Sequence, residues 1–155
     1  MKELTRRALI GGVAMLPVPS FAQTPAPPEA LLYIIWPRDG QKVRSPFWVR
    51  FGLRNMGVTR AGDRAPNVGH HHLLVDVDTA LDPKEPIPTD KKHLHFGGGQ
   101  TEVELDLPPG RHTLQLALGD ADHKLFGPPI ISKKITITVL KPTPASTSAS
   151  KLKPQ

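Results

Sequence analysis

Histidine is the residue type on which the chemistry of this chain depends. All seven histidines lie between His70 and His123, and four of them form two His-x-His pairs, His70/His72 and His93/His95. Successive side chains of an extended strand point to opposite faces, so residues i and i+2 carry their imidazoles side by side. Two such pairs can surround one ion. The sequence therefore predicts that these four side chains are the ligands of a divalent metal.

Three further side chains are weaker candidate ligands: Asp76, Asp120 and His123. An aspartate can bind the ion directly, or it can accept a hydrogen bond from the remote ring nitrogen of a histidine ligand and fix its orientation. Asp78 and Asp122 have the same chemistry and lie beside these candidates. His123 belongs to the loop 120–124, which we expect to close over the same edge as the histidine pairs.

Strand alternation separates the remaining histidines from this set. His71 shares a face with Leu73, Val75 and Val77, so we expect it in the core, whereas His70 and His72 are expected on a polar surface. His112 aligns with a row of leucines. It is therefore predicted to be buried or half-buried, with a hydrogen-bond partner.

The composition restricts both the ion and the possible reactions. The chain has no cysteine, and of its three methionines only Met56 lies beyond residues 1–22. Any metal ligands must then be nitrogen and oxygen atoms, which suit Cu(II), Zn(II) or Ni(II). Thiol catalysis is excluded. The glycine run 97–99 lacks the lysine and helix of a phosphate loop, and it is expected to be a hairpin connection.

The charge distribution argues against a nucleic-acid partner. The formal net charge is +6, but residues 31–140 are close to balanced once both ends of the chain are set aside. Nucleic-acid binding requires a basic stripe with stacking aromatic residues, whereas the basic residues here are scattered. The acidic alternation of Glu102, Glu104 and Asp106 is expected to be a solvated strand face.

Short strands separated by glycine and proline turns dominate the middle of the chain, and no sustained helical period occurs. This pattern predicts an all-β domain, with an immunoglobulin-like antiparallel β-sandwich favoured over a small barrel. Trp36 and Trp48 are expected in its core. The six main predicted strands are Leu31 to Trp36, Phe47 to Leu53, His70 to Asp78, Thr101 to Leu107, His112 to Leu118 and Ser132 to Leu140.

The two ends of the chain differ from this domain in composition. Residues 1–22 have the basic, apolar and small-residue regions of a secretory signal peptide, cut after Ala22, and Arg6-Arg7 also fits a twin-arginine signal. A Pro/Ala-rich leader, 23–30, and a Pro/Ser/Thr/Lys tail, 141–155, are expected to be disordered around a single domain, 31–140. The predicted location is therefore periplasmic or secreted, with no permanent membrane anchor.

Three segments carry a resemblance to known proteins: YIIWPRDGQKVRSPFWVRFGLRNMGV (33–58), GHHHLLVDVD (69–78) and HLHFGGGQTEVELDLPPGRHTLQLALGDADH (93–123). Together they resemble a bacterial exported domain family of unknown function. The resemblance implies a periplasmic or secreted β-domain and assigns no activity. The last hairpin is also similar in style to periplasmic copper-resistance β-sandwiches, although Gln23 replaces their N-terminal histidine and their methionine-rich region is missing.

Three functions are compatible with these features. The favoured one is a non-enzymatic periplasmic protein that binds Cu(II) or Zn(II) and buffers the ion or delivers it to another periplasmic protein. The first alternative is a structural or interaction module of the cell envelope whose histidines are hydrogen-bonded spacers. The second is a metal-dependent hydrolase or oxidase, which needs an open coordination position and a base such as Asp76 or Asp120.

Overall fold

The computed structural model describes residues 23–142, so the predicted signal peptide and nearly all of the predicted tail lie outside the described residues. Within this range the chain forms strands and no helix, which confirms the all-β prediction. Accordingly, the described part has no helix long and apolar enough to cross a membrane. The strands are β1 (Leu31–Trp36), β2 (Lys42–Val43), β3 (Phe47–Arg54), β4 (Gly57–Val58), β5 (Val68–Val75), β6 (His93–His95), β7 (Glu102–Leu105), β8 (Gly110–Gly119) and β9 (Ile135–Val139).

The strands form two sheets. The smaller one has the order β1-β3-β7 and is antiparallel throughout. The larger one has the order β2-β9-β8-β5-β4, and β6 also pairs with β5. This sheet is mixed, because β2–β9 and β4–β5 are parallel pairs and the others are antiparallel. These pairings do not establish an immunoglobulin-like strand order, which stays a prediction.

The main core lies between the two sheets and follows the alternation of apolar residues. In β3, Phe47, Val49 and Phe51 are buried, as a half-buried strand requires. Trp36 is half-buried and meets Phe47 edge to face, with ring centroids 6.3 Å apart. Trp48 points the other way and is 46% exposed, so its expected place in the core is wrong. Side chains alternate between the two faces of a strand, so Trp48, which lies between the inward-facing Phe47 and Val49, points outward.

Strand β5 is buried on both faces. His71, Leu73 and Val75 face the main core, and the ring of His71 packs 5.1 Å from that of Phe51, as expected. A second apolar cluster, which includes Leu74, covers the opposite face. Its members come from β5, from β8 and from the loops that follow them: Leu74, Val77, Ile87, Ala117 and Leu125.

This second cluster corrects two expectations about β5. His70 and His72 lie on the outer face, but they are fully buried beneath the loops rather than exposed on a polar surface. Val77 packs with the outer cluster instead of the main core. The strand ends at Val75, and Asp76 has a φ of 54°, so the alternation of β5 does not continue to Val77.

His112 is buried with two hydrogen-bond partners, as predicted. Its Nδ1 lies 2.7 Å from Oδ2 of Asp76, and its Nε2 lies 2.9 Å from the carbonyl oxygen of Pro108. Both partners only accept, so two donated bonds require the protonated ring. Burial lowers the pKa of His112, but the bonds to Asp76 and Pro108 and the charge of Asp76 raise that pKa above its ordinary value.

The Asp76–His112 pair predicts a pH-dependent stability difference. Burial raises the pKa of Asp76, but its bonds to His112 and Thr113 bring the net value below the ordinary one. The contribution of Asp76 is therefore present above about pH 4 and lost as pH falls through its folded pKa, whereas that of His112 is present below about pH 6.5 and lost as pH rises through its folded pKa. Both contributions are present together between about pH 4 and pH 6.5, so the pair stabilises the fold most in this range.

Asp76→Asn should therefore lower the free energy of unfolding by about 1 to 2 kcal/mol at pH 5.5 and by less at pH 9, because asparagine keeps the backbone conformation but not the charge. Urea unfolding at both pH values measures this difference. Asp78→Asn, at an exposed neighbouring position, is the matched control. An equal loss at both pH values would contradict a charged pair.

Candidate metal centre

Three of the four predicted ligands meet on the outer face of β5. The antiparallel pairing of β5 with β6 places His95 directly opposite His72, and His70 is two residues away on the same face. Each of the three offers one ligand atom, and these atoms lie within 4.8 Å of one another. The Nε2 atoms of His70 and His72 are 3.1 Å apart.

His123, a weaker candidate from the sequence, completes the group from the loop after β8. Its ring centroid is 4.9 Å from that of His70, 4.8 Å from that of His95 and 6.1 Å from that of His72. These four side chains form the four-histidine cluster: His70, His72, His95 and His123. The cluster joins two strands and a loop that are distant in sequence.

The loop 120–124 is held in a defined turn that presents His123. Oδ1 of Asp120 accepts hydrogen bonds from the backbone N–H groups of Asp122 and Lys124, at 2.9 Å each. The carbonyl of His123 accepts from the N–H of Ile87, and His123 itself has a φ of 63°. That left-handed conformation is uncommon outside glycine and requires support from the surroundings, which this network provides.

Two glycines leave room for the rings. A Cβ atom at Gly119 would lie 2.8 Å from Nε2 of His72 and 3.3 Å from Cε1 of His70. A Cβ atom at Gly97 would overlap Cε1 of His95. The sequence reasoning missed both residues. The spacing could have indicated Gly97, which follows His95 by two residues. Gly119 is identified only by the strand pairing, which places it opposite His70.

His93 lies outside the cluster, contrary to the predicted set of four. Antiparallel pairing places it opposite Leu74, which lies two residues beyond His72 on the side away from His70. The two His-x-His pairs therefore overlap at a single rung. The half-buried His93 ring instead has its Nδ1 3.0 Å from both carboxylate oxygens of Asp90.

None of the candidate aspartates belongs to the three-histidine group in the structure. Asp76 bonds to His112 and to the N–H of Thr113, and Asp78 is exposed. Asp122 forms a two-bond ion pair with Arg64, and Asp120 caps the turn that carries His123. Their carboxylates bond to other residues. Closeness to the histidines in the sequence therefore does not make these aspartates metal ligands.

Burial favours the neutral form of His70, His72 and His95. Desolvation, followed by the charges of neighbouring histidines, lowers the pKa of His70 to about 4 and that of His72 to about 3. Desolvation and the nearby His123 also lower the pKa of His95. At neutral pH these rings therefore have free lone pairs, which is the form that binds metal.

Several nitrogens of the cluster are buried without a hydrogen-bond partner in the described part of the chain: Nδ1 of His70, Nδ1 of His72 and Nε2 of His95. An unsatisfied buried polar group costs about 1 to 3 kcal/mol, so such a concentration calls for an explanation. An ion held by the Nε2 atoms of His70, His72 and His95 would give the unpartnered His95 nitrogen a partner and would replace the close contact between Nε2 of His70 and Nε2 of His72. The 3.1 Å between the Nε2 atoms of His70 and His72 corresponds to an angle of about 100° at an ion bound at about 2.05 Å.

Residues 49–140 match the family described as a domain of unknown function, DUF4399. The chain belongs to the DUF4399 family. The matched region runs from β3 to the end of β9, so it contains the whole four-histidine cluster of this DUF4399 domain. No curated protein matches the chain.

A solved structure of the endo-β-1,4-mannanase from Thermotoga petrophila resembles the chain at 20% identity, with a TM-score of 0.42. The alignment covers 74% of this chain and 20% of the mannanase chain, so the DUF4399 chain spans about a fifth of that protein's length. At this TM-score neither a shared fold nor a shared function follows.

Gly119→Ala tests whether the rings depend on the missing Cβ. Because the added methyl group would overlap His72, we expect the ring to move and the free energy of unfolding to fall by about 1 to 3 kcal/mol. Urea unfolding measures the change, and imidazole NMR signals report the displaced rings. Gly98→Ala is the control, since its Cβ would meet only the flexible side chain of Gln100. Equal stability of the two variants would show that the rings are not tightly packed there.

The metal-free protein should lose stability in mild acid. Burial lowers the pKa of His70 and His71 to about 4 and that of His72 to about 3, so below pH 6.5 the unfolded chain takes up protons that the folded chain does not. Each group then lowers the free energy of unfolding by at most about 1.4 kcal/mol per pH unit, until its folded pKa is reached. His112 does not offset this loss, because its own contribution is already complete below about pH 6.5.

Urea unfolding in the presence of a chelator at pH 7.5, 5.5 and 4.5 measures this dependence. We expect the free energy of unfolding to fall steeply between pH 5.5 and pH 4.5. A flat profile would show that the imidazoles are solvated rather than buried.

Proposed function

We propose that this DUF4399 domain is an exported, non-enzymatic protein that binds one Cu(II) or Zn(II) ion in the four-histidine cluster, and that it buffers the ion or delivers it to another periplasmic protein. The observation that carries the proposal is the convergence of the neutral imidazoles of His70, His72 and His95, each with a buried unpartnered nitrogen, beside the ring of His123. Three-histidine and four-histidine sets are suited to both ions.

The other histidines of the chain show what the structural alternative requires. His112 bonds to a carboxylate and a carbonyl, and His93 bonds to Asp90. These are satisfied spacers. In the cluster, by contrast, His70 and His72 face each other through their Nε2 atoms. Histidines that serve only to bridge loops would not leave buried nitrogens without acceptors or donors.

The ligand set favours binding over catalysis. Four protein ligands complete a tetrahedral site, whereas a hydrolytic site keeps one position open for water. The two aspartates considered as bases have other partners, His112 for Asp76 and Thr24 for Asp120. Among divalent ions, imidazole sites bind Cu(II) more tightly than Zn(II), so availability of the metal decides between them.

Export and the immunoglobulin-like arrangement are parts of the same proposal. The sequence of residues 1–22 supports export, and without cysteine the stability of the domain must come from its hydrophobic core. The two-sheet architecture supports a sandwich. In the periplasm the domain would meet exchangeable metal ions and partner proteins that could receive them.

Metal titration of matched variants tests the binding site. The purified protein should bind one equivalent of Zn(II) or Cu(II), and His95→Ala should weaken that binding at least about 100-fold because it removes a ligand. His93→Ala is the matched control, since His93 lies on the same short strand but outside the cluster. Competition with a chromophoric chelator gives the affinities.

A metal-dependent rise in the free energy of unfolding provides the second readout, and at 100 times Kd it should reach about 2.7 kcal/mol. Equal losses in the two variants, or no binding by the wild type, would contradict the proposed site. Absence of binding by the wild type would favour the structural alternative.

A further inference from the structure

The leader segment, predicted to be disordered, is attached to the loop that carries His123. Pro25 forms a parallel bridge with Gly127, the N–H of Ala26 donates to the carbonyl of Gly127 at 3.0 Å, and the N–H of Gly127 donates to the carbonyl of Thr24 at 2.9 Å. The side-chain amide of Gln23 donates to the carbonyl oxygens of Pro83 and Leu125. Residues 23–26 therefore lie against the segment that directly follows loop 120–124.

A single side-chain bond connects this leader to the turn itself. The hydroxyl of Thr24 donates to Oδ2 of Asp120 at 2.6 Å. The other oxygen of the same carboxylate accepts from the backbone of Asp122 and Lys124. Asp120 is only 6% exposed, so its bonds are shielded from competing water.

The turn held by Asp120 also fixes the backbone of His123, a candidate metal ligand. His123 lies between Asp122 and Lys124, whose N–H groups are both fixed by the Asp120 carboxylate, and its own N–H donates to the carbonyl of Asp120. Its left-handed backbone is maintained by this network rather than by its own preference. Displacing the Asp120 carboxylate would release the backbone on both sides of the ligand.

Asp120 also supplies charge where the ion needs it. Four neutral imidazoles leave both positive charges of a divalent ion uncompensated, and burial makes that costly. Asp120 directly follows Gly119, which is paired with His70, so a buried carboxylate stands at the edge of the cluster without being a ligand.

We propose that Thr24 and Asp120 are positioning residues of the metal centre: the leader holds the Asp120 carboxylate, and this carboxylate holds His123 in place as the fourth ligand. This inference rests on the proposed metal-binding function. It also gives a route for release, since detaching the leader frees His123 and leaves an ion bound by three ligands. A receiving protein could then supply its own ligand at the open position.

A double-mutant cycle tests this coupling in the full chain. Thr24→Val removes the donated bond but keeps the shape and the backbone contacts, and it should weaken Zn(II) binding about 10-fold. The same substitution in a His123→Ala background should have no further effect, because the residue acts through a ligand that is already missing. Thr79→Val, at an exposed loop position, is the control and should leave the affinity unchanged.

Nitrogen hyperfine structure in the EPR spectrum of the Cu(II) form gives a readout that a general loss of stability would not change. Asp120→Asn keeps an acceptor for the turn and should retain the four nitrogens of the wild type, whereas Asp120→Ala removes that acceptor and should show three. Four nitrogens in Asp120→Ala, or a 10-fold loss on Thr24→Val that persists without His123, would overturn the positioning role while leaving metal binding intact. Absence of binding by the wild type would instead overturn the proposed function and this inference with it.

Discussion

The double-sided burial of β5 is the constraint on which the rest of the structure depends. One face of the strand contributes His71 and Leu73 to the main core, while the other carries His70 and His72 beneath the loops. A strand buried on both faces usually consists of apolar residues only. Three consecutive histidines in such a strand are costly unless each has a partner. The fold therefore concentrates unsatisfied imidazoles at one place, and the pairing with β6 adds another.

This burial links stability to chemistry. Desolvation favours the neutral rings of His70, His72 and His95, and the same desolvation makes their unpartnered nitrogens unfavourable. An ion held by the Nε2 atoms would relieve part of this cost, so metal affinity and folding stability should be coupled. Gly97 and Gly119 show that the backbone makes room for the rings. The loop 120–124 then covers the site from outside the sheet through His123, and Thr24 of the leader bonds to Asp120 of this loop.

The alternation of apolar residues predicted much of the fold, and local spacing predicted part of the site. The strands were recognisable because each half-buried strand repeats with a period of two, and the same argument placed His71 and His112 correctly. Alternation could not predict which other histidines lie beside His70, since strand register depends on contacts between distant segments. A spacing argument treats His93 and His95 alike, whereas the register brings only His95 into the cluster. The importance of His123 depends on a loop closure that has no periodic signature.

X-ray absorption at the zinc edge of the Zn(II)-loaded protein tests the central claim most directly, because it counts and identifies the atoms around the ion. A site formed by His70, His72, His95 and His123 predicts four nitrogen neighbours at about 2.0 to 2.1 Å, with the outer-shell scattering of imidazole rings. Replacing His123 should lower the imidazole count to three, while replacing His93 should leave it at four. An oxygen-dominated shell, or the same count after replacement of His123, would contradict the four-histidine site.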